Sequence, residues 1–530
     1  MATAINSAKS TGLSARQSQW AIIVRQFCKR RLAVASTFMV LFLVTVSIFA
    51  PLLANDRPIY YVGTNRFEFR EAAKNARAIV VQLVTSANAA PARWAEQTRT
   101  LQRQFDLMLG ELSGEASTPV QELRTNIHAA VAKPDRAQAI TDLRALQKEL
   151  RAILDAAETH LTVRPHWPVL KSLQWADLGF MTAILLLLTL PLWHRWAISQ
   201  KDGNSRSALL IFILAPSCIA TAWWMLIPVR VDRTAYKAGV LVADAGAAKA
   251  GVVYQSVMWP PIAYGIDEYD LAKMSAPPAW YPENWKPKTS RKVSELTKAV
   301  SPWNTPHWMG TDADGRDILC RMIWGGRVSL SVGIVAVAIY VSIGIVVGAL
   351  AGYFRGLTDL LISRIIEVVI CFPSFFLILT IVAMVGPGLL NIMVVIGLTG
   401  WTGIARLVRG EFLRLVDQEF VLAGRALGYS PLRLIFRHVL PNAMAPVMVS
   451  ATFGIAGAIL TESALSFLGL GIQAPIPSWG SLLSDGRSVM NHAPWLIHFP
   501  GLAIFITITS YNLIGESLRD AADPRLRGSR

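Results

Sequence analysis

Residues 417–442 read DQEFVLAGRALGYSPLRLIFRHVLPN and separate two long apolar blocks of the chain. Residues that favour helix run from Glu419 to Leu427, and Gly428 can adopt the left-handed conformation that ends a helix. Ser430 can cap a following helix that has Pro431 at its first position. The stretch therefore predicts a compact, basic helix–turn–helix.

The second helix of this segment is expected over roughly 431–439 and to end at Leu440-Pro441, before the next apolar block. Small side chains are predicted to keep one face of the first helix narrow enough to enter a groove on a partner. They are Ala423, Gly424 and Ala426.

The blocks on either side of this segment indicate a membrane protein. Of the 530 residues, 53% are hydrophobic and only 16% are charged, and the mean hydropathy is +0.40. A membrane-spanning helix needs about 20 mostly apolar residues. We expect eight spans, at 32–54, 177–197, 207–228, 328–353, 361–384, 389–408, 443–467 and 496–517. The predicted fold class is an all-α membrane protein.

Basic residues predict the orientation, because short cytoplasmic segments are enriched in Lys and Arg. The first apolar run is too long for a signal peptide, so it is interpreted as an uncleaved anchor. Every short basic segment then falls on the cytoplasmic side, with both termini inside. These basic residues are Arg25, Lys29, Arg30, Arg31, Arg195, Lys201, Arg206, Arg355, Arg364, Arg409, Arg414, Arg425, Arg433, Arg437, Arg519, Arg525, Arg527 and Arg530.

The net charge of +16 is therefore attributed to membrane topology, and nucleic-acid binding is disfavoured since no recognition motif accompanies it. The four cysteines fall in separate apolar or flanking segments, which argues against a disulfide framework or a zinc site. They are Cys28, Cys218, Cys320 and Cys371.

Residues 66–162 differ from the rest, being Ala-rich and charged with apolar residues at spacings of three and four. This pattern predicts a four-helix antiparallel bundle, or two helical hairpins, outside the membrane. A spacer, a docking surface for a partner and a sensory ligand pocket are the alternative roles. Residues 229–310 are rich in Pro, Trp and Tyr and predict irregular structure with short turns.

The 417–442 segment resembles the EAA loop of ABC importer permeases. That family's glutamate, small residue, glycine and terminal Leu-Pro match Glu419, Ala423, Gly428, Leu440 and Pro441, while Phe420 replaces the first alanine. The resemblance implies that the loop inserts into a cleft of a separate ATPase subunit. The residues expected to couple ATP hydrolysis to transport are Glu419, Ala423, Gly424, Arg425, Gly428, Leu440 and Pro441.

A second stretch, HWMGTDADGRDILCRMIWGGRVSLSVG at 307–333, is similar to the signatures of dipeptide and oligopeptide permeases. Its matching residues are Gly310, Thr311, Asp312, Gly315, Arg316, Asp317, Gly326, Arg327 and Ser329. ESALSFLGLGIQAPIPSWG and ESLRDAADPRLR extend the resemblance, as do PLLANDRPIYYVG and VMWPPIAYGIDEYD. Together they resemble the C-type permease of peptide importers, in the microcin C and oligopeptide branch. The departure is an insert of about 71–250, which contains two of the eight predicted spans.

Catalysis within the chain is not expected. The sequence contains no G-x-x-x-x-G-K-[ST] phosphate loop, no H-E-x-x-H and no G-x-S-x-G. The resemblance places ATP and Mg²⁺ on partner ATPase subunits. Glu462 could line the pathway or bond local backbone, and Glu367 is expected to pair with Arg364.

The predicted organisation follows from these boundaries. It comprises a cytoplasmic segment 1–31, a first span 32–54, a bundle region 55–176, an added hairpin of spans 177–228, an outer segment 229–327, a permease core 328–517 and a tail 518–530. The resemblance implies half of a translocation pathway for peptides, working by alternating access. A second permease, two ATPase subunits and a soluble solute-binding protein are the expected partners. An ion-coupled transporter and a membrane-anchored sensor or scaffold remain the alternatives.

Overall fold

The computed structural model describes residues 19–85, 91–112, 114–190, 205–225, 234–242, 250–281 and 305–522. The predicted N-terminal segment, the C-terminal tail and the 198–206 loop lie partly outside these residues. The chain forms two compact units. One contains residues 1–50, 266–295 and 306–530, and the other contains residues 51–265 with 296–305.

The first unit, here called the core unit, is built from α-helices, of which the longest are apolar. They are α1 Gln19–Lys29, α2 Arg31–Ile48, α11 Ile318–Phe354, α12 Gly356–Ile370, α13 Ser374–Val385, α14 Leu389–Leu415, α15 Glu419–Ala426, α16 Pro431–Phe467, α17 Trp479–Arg487 and α18 Trp495–Ala522. Within the described residues, five of the chain's helices are long and apolar enough to cross a membrane. The eight-span topology remains a prediction.

Helix α11 packs closely on α14 through glycines spaced four residues apart. A Cβ at Gly348 would lie 2.5 Å from the Ala405 carbonyl oxygen, and one at Gly352 would lie 2.5 Å from Phe412 Cβ. Small residues at this spacing let helix backbones approach in a membrane. The pair forms part of a buried apolar core that includes Ile392, Val408, Phe412, Val447 and Leu465.

The predicted span 361–384 is not one helix. Helices α12 and α13 meet at an angle of 79°, and together they count as a possible sixth span. Pro373 follows the break, and a proline both lacks an N–H and pushes the preceding residue away from helical geometry. The single-helix prediction was therefore wrong at this point.

The predicted end of a helix at Leu440-Pro441 was also wrong, because α16 runs without a break from Pro431 to Phe467. Residues Leu434–Val439 form a π turn, in which the hydrogen bonds reach one residue further than in an α-helix. This displacement accommodates Pro441, which cannot donate a backbone hydrogen bond.

The second unit, here called the bundle unit, contains four helices that match the apolar stripes of 66–162. They are α4 Arg66–Thr85, α5 Pro91–Glu111, α6 Thr118–Val131 and α7 Arg136–Ala157. Their buried faces share one core, as the spacing predicted, with members such as Phe69, Leu83, Phe105, Leu123 and Leu150. Pro91 begins α5, Pro119 lies in the first turn of α6, and Asp135 caps α7 with a 2.9 Å bond from the Ala137 amide.

Four further helices of the described residues, from 4 to 21 residues long, complete the bundle unit. They are α3 Ala50–Leu53, which reaches the unit boundary, α8 Pro168–Ser172, α9 Trp175–Leu188 and α10 Ser205–Met225. Trp175–Leu188 and Ile213–Met225 are apolar but shorter than a span. The remainder of the predicted span 177–197, from residue 191, lies outside the described residues.

A four-stranded sheet was missed by the sequence analysis. Its strands are β1 Tyr60–Asn65, β2 Arg164–His166, β3 Val240–Leu241 and β4 Val252–Met258, in the order β2-β1-β4-β3. Strand β1 pairs antiparallel with both β2 and β4, and β3 pairs parallel with β4. The irregular structure predicted for 229–310 is therefore wrong over β4, whose VVYQSVM sequence is rich in residues that favour strands.

Candidate functional site

The predicted helix–turn–helix is present at 417–442 and is called the coupling hairpin below, after the role that the sequence analysis predicts for it. Helix α15 ends at Ala426, and Gly428 follows with a φ of 77° that turns the chain away from the helix. The Tyr429 amide donates to the Gly424 carbonyl at 3.1 Å. Ser430 Oγ accepts a hydrogen bond from the Arg433 amide at 3.4 Å, with Pro431 at the first helical position. The end, the turn and the cap are those that the sequence predicted.

One residue of the predicted small face lies elsewhere. Gly424 is buried, and a Cβ there would lie 2.8 Å from Leu434 Cδ2, so this glycine lets the two helices of the hairpin approach each other. Placing Gly424 on a surface for a partner was therefore wrong. Ala423 and Ala426 are exposed, as predicted.

Large apolar side chains dominate the exposed part of the hairpin. The exposed fractions are 42% for Phe420, 70% for Leu427, 68% for Leu432 and 58% for Phe436. Glu419 and Arg425 are exposed as well. Apolar side chains grouped on a short polar hairpin are typical of a protein-binding surface. We call these four residues the apolar set.

Polar contacts fix the hairpin to the end of α11. Arg355 Nη2 lies 2.6 Å from Asp417 Oδ2 and donates to the Leu413 carbonyl at 3.1 Å. The hydrogen bond from Arg355 lowers the pKa of Asp417. The guanidinium carbon of Arg425 lies 5.5 Å from the centre of the Tyr353 ring. These contacts join the hairpin to the end of α11.

The other two predicted coupling residues lie where the hairpin enters α16. Leu440 is half-buried and packs on the core, whereas Pro441 is exposed. Arg364 and Glu367, predicted as a local pair, are joined at 2.6 Å on the surface of α12.

The signature residues 310–317 form a tight turn before α11. Gly310 and Gly315 have φ values of 78° and 79°, and Thr311 Oγ1 accepts from the Ala276 amide at 2.7 Å. Asp312 Oδ1 accepts from the Arg316 amide at 2.9 Å, and Asp312 Oδ2 accepts from Arg316 Nε at 2.8 Å. The turn is thus organised around one buried carboxylate.

Two residues that the sequence analysis missed complete this buried network. Arg321, from the first turns of α11, pairs with Asp312 and lies 3.1 Å from Asp485 Oδ2 of α17. Its side chain is 2% exposed. Burial raises the pKa of Asp485, whereas Arg321 and Arg316 lower it. The effect of burial is the larger one, so the pKa of Asp485 is raised overall. Burial lowers the pKa of Arg316, but Asp312, Asp314 and Asp485 together outweigh this effect and raise it. The sequence did contain a signal for Arg321, because a charged residue in an otherwise apolar helix indicates a functional or paired position.

Asp317 has two structural roles at the start of α11. Its Oδ1 accepts from the Cys320 amide at 2.7 Å, which caps the helix, and its Oδ2 lies 2.8 Å from His307 Nδ1. The signature residue Arg327 is half-buried, with its guanidinium carbon 5.8 Å from the Trp324 ring centre.

Glu462 is enclosed by hydroxyl groups. Its side chain has no exposed surface, and Ser466 and Ser329 donate to it at 2.8 and 3.2 Å. Ser329 in turn accepts a hydrogen bond from the Trp479 amide at 3.1 Å. These contacts support a role for Glu462 in joining α11, α16 and α17.

A cavity of about 420 Å³ lies among α11, α13, α14 and α16. Its polar lining consists of hydroxyl groups, from Tyr340, Ser374, Thr399, Ser450 and Thr461. Its apolar lining includes Gly400, Gly403, Gly454 and Gly457. The cavity can thus hold a polar molecule by hydrogen bonds without imposing a charge on it.

Comparisons with known proteins agree with this geometry. Residues 344–528 match the family described as binding-protein-dependent transport system inner membrane component. Residues 18–70 match the N-terminal TM domain of oligopeptide transport permease C. Neither match includes 71–343, which contains most of the bundle unit's helices.

Individual relatives are similar over less than half of this chain. The dipeptide transport system permease protein DppC of Alkalihalophilus pseudofirmus is 45% identical over 221 residues, which is 42% of this chain and 73% of the relative. The oligopeptide transport system permease protein OppC of Bacillus subtilis is 40% identical over 235 residues, 44% of this chain and 77% of the relative. The glutathione transport system permease protein GsiD of Escherichia coli is 42% identical over 222 residues, 42% of this chain and 73% of the relative.

Proposed function

This chain belongs to the family of binding-protein-dependent transport system inner membrane components, and we propose that it is a permease subunit of an ATP-driven peptide importer. Its relatives are named for dipeptide, oligopeptide and glutathione transport, which supports a peptide or peptide-like substrate. The observation that carries the proposal is the coupling hairpin, a rigid turn that exposes the apolar set while its base is fixed to α11 and α16.

In this proposal, the apolar set enters a cleft on an ATPase subunit, where ATP and Mg²⁺ are bound. Burying an apolar side chain stabilises such a contact by roughly 1.5–3 kcal/mol before the costs of association. Closure of the ATPases on ATP moves the hairpin, and Arg355 and Arg425 pass that movement to α11. Alternating access results when α11 and α16 move against a second permease subunit.

The hydroxyl-lined cavity is proposed as this chain's half of the pathway. Added Cβ atoms at Gly403 and Gly457 would meet nothing within 4 Å, so these positions leave open space at the cavity wall. Backbone carbonyls and hydroxyl groups suit peptides of differing sequence, because they bond the peptide backbone without requiring one side-chain charge.

The topology and remaining partners belong to the same proposal. The bacterial inner membrane holds the chain with both termini in the cytoplasm, and a soluble solute-binding protein delivers the peptide from outside. The four-helix bundle then lies outside the cytoplasm, as a spacer or as a docking surface for a partner. Labelling of single cysteines placed at Glu122 and Leu427 with a membrane-impermeant maleimide tests this assignment. In intact cells, we expect the cysteine at Glu122 to be labelled and the cysteine at Leu427 to remain unlabelled. The reverse pattern excludes the proposed orientation.

Substitutions of Gly428 test the coupling step. An added Cβ at Gly428 would meet no atom within 4 Å, so a substitution there acts through the backbone φ of 77° alone. Gly428→Asn should be tolerated, since Asn adopts left-handed geometry readily, whereas Gly428→Val should distort the turn.

The measurement is ATPase activity and peptide uptake by the complete complex in proteoliposomes. We expect Gly428→Val to lose at least about tenfold in uptake, equivalent to about 1.4 kcal/mol, and Gly428→Asn to remain within about twofold. Equal activity of both variants, in complexes that retain their ATPase subunits, excludes the hairpin as the coupling element. Uptake that continues without ATP and stops with a proton ionophore excludes an ATP-driven importer altogether.

A further inference from the structure

Three side chains with metal-binding atoms converge in the bundle unit. Glu68 lies in the first turn of α4, Glu111 is the last residue of α5, and His166 is the last residue of β2. One ligand atom from each lies within 4.8 Å of the other two, and His166 Nε2 is 3.8 Å from Glu111 Oε2. We call these residues the Glu–Glu–His cluster.

Burial leaves two of these atoms without a protein partner. His166 is 6% exposed, and neither its Nε2 nor Glu111 Oε2 has a hydrogen-bond partner among the residues the structure describes. An unpaired buried polar group costs about 1–3 kcal/mol, and more for a charged one. Two such atoms facing each other therefore indicate a bound group that satisfies both.

Neighbouring residues orient the side chains of the cluster. The Tyr61 ring stacks on His166, with ring centres 4.6 Å apart, and the imidazole also bonds the backbone of Gly63. Asn65 Nδ2 lies 3.5 Å from the carboxylate oxygen Glu68 Oε2, and Asn65 Oδ1 accepts from the Glu68 amide at 3.0 Å. Orientation of a histidine ligand through its other nitrogen, and of a carboxylate through a neighbour, is usual around metal ions.

Geometry argues against an internal hydrogen bond as the explanation. His166 Nε2 and Glu111 Oε2 lie 3.8 Å apart, which is longer than a hydrogen bond. Lys171 Nζ lies 3.7 Å from Glu68 Oε1, so the charge of this lysine is directed at Glu68.

We propose that Glu68, Glu111 and His166 bind one divalent transition-metal ion, with Zn²⁺ or Mn²⁺ as the fitting chemistry. One imidazole and two carboxylates suit these ions better than Ca²⁺, which prefers oxygen ligands alone. Zn–N and Zn–O bonds of about 2.0–2.2 Å require the three side chains to move slightly closer together. The ion would join the ends of two bundle helices to the sheet.

Metal content of the full-length chain tests this proposal. The chain is purified in detergent with an affinity tag that lacks histidine, stripped with EDTA, incubated with ZnCl₂ or MnCl₂ and desalted. Inductively coupled plasma mass spectrometry should find about one equivalent of metal in the unmodified protein, as a site with fixed ligands retains its ion. His166→Asn and Glu111→Gln should each lower retention at least about tenfold.

Matched controls are His128→Gln and Glu122→Gln, because both residues are exposed on α6 of the same bundle. These variants should retain as much metal as the unmodified chain. Circular dichroism in EDTA checks that every variant keeps its helices. Equal retention by all four folded variants, or none by the unmodified chain, overturns the site and leaves a hydrogen-bonded polar cluster.

A second measurement needs no variant. Co²⁺ bound by this ligand set should give d–d absorption bands in the unmodified chain. Addition of about one equivalent of Zn²⁺ should remove these bands, because both ions occupy the same single site. Absence of the bands, or bands that excess Ca²⁺ removes as readily as Zn²⁺, overturns the assignment.

Discussion

Two buried polar clusters in this molecule differ in how their carboxylates are paired. Around Asp312, the core unit sets two guanidinium groups, of Arg316 and Arg321, against the carboxylates of Asp312 and Asp485. We call this the balanced network, because each of the two carboxylates contacts a guanidinium group, and it supports the start of α11. We call the Glu–Glu–His cluster unbalanced, because Lys171 contacts Glu68 whereas Glu111 Oε2 has no hydrogen-bond partner among the described residues.

The largest expected effect comes from opening the balanced network. Arg321→Met keeps most of the length of the side chain but removes one of the two guanidinium groups that contact both Asp312 and Asp485, so that Arg316 alone remains. Removing one partner of a buried ion pair costs about 3–5 kcal/mol. Thermal unfolding of the purified chain in detergent, followed by tryptophan fluorescence, should show a large fall in midpoint.

Asp314→Asn is the matched control for this substitution. Asp314 also contacts Arg316, at 2.7 Å, but its side chain is 54% exposed. Water replaces the lost contact, so the change should be at most about 1 kcal/mol. If the two variants unfold at the same temperature, burial does not set the strength of this network.

The next effect separates the unbalanced cluster from the balanced network. Metal at about 100 times its dissociation constant should stabilise the unmodified chain by about 2.7 kcal/mol. In EDTA, Glu111→Gln should change stability by less than about 1 kcal/mol, because Glu111 Oε2 has no partner to lose among the described residues. The measurement is the unfolding midpoint with and without ZnCl₂. A large loss for Glu111→Gln in EDTA would mean that the Glu111 carboxylate already has a stabilising partner without metal, as the carboxylates of the Asp312 network do.

The coupling hairpin shows what local sequence signals can predict. Gly428, Ser430 and Pro431 each determine the conformation of their own turn, so the end of one helix and the start of the next were predictable from sequence. The burial of Gly424 against Leu434 was not, since the angle between the two helices depends on packing rather than on the turn residues.

The Glu–Glu–His cluster shows where such signals end. Glu68 and His166 come together because β1 pairs with β2 about a hundred residues away, and Glu111 arrives from the end of another helix. No short motif contains the three residues. The three-residue strand β2, with sequence RPH, also gives no periodic signal from which to predict a sheet.

A smaller effect is expected at the cap of α11. Asp317→Ala removes the acceptor for the Cys320 amide and the contact with His307, at about 1–2 kcal/mol together. Asp317→Asn keeps a capping oxygen and should lose less than half of that. The unfolding midpoints of the two variants provide the measurement. Equal losses would assign the stabilisation to the carboxylate charge beside His307 rather than to the cap.

The smallest effect concerns an exposed ion pair, which tests whether charge balance matters at all outside a buried site. Arg77 Nη2 lies 2.5 Å from Asp155 Oδ1 between α4 and α7, with the two side chains 35% and 56% exposed. Arg77→Met should lower stability by only about 0.2–1 kcal/mol, and salt at about 1 M should remove most of the difference by screening. Unfolding midpoints at low and high salt give the measurement. The contrary outcome is a loss of stability as large as that of Arg321→Met and unaffected by salt. It would show that the bundle depends on this pair. It would also show that burial does not distinguish strong polar contacts from weak ones.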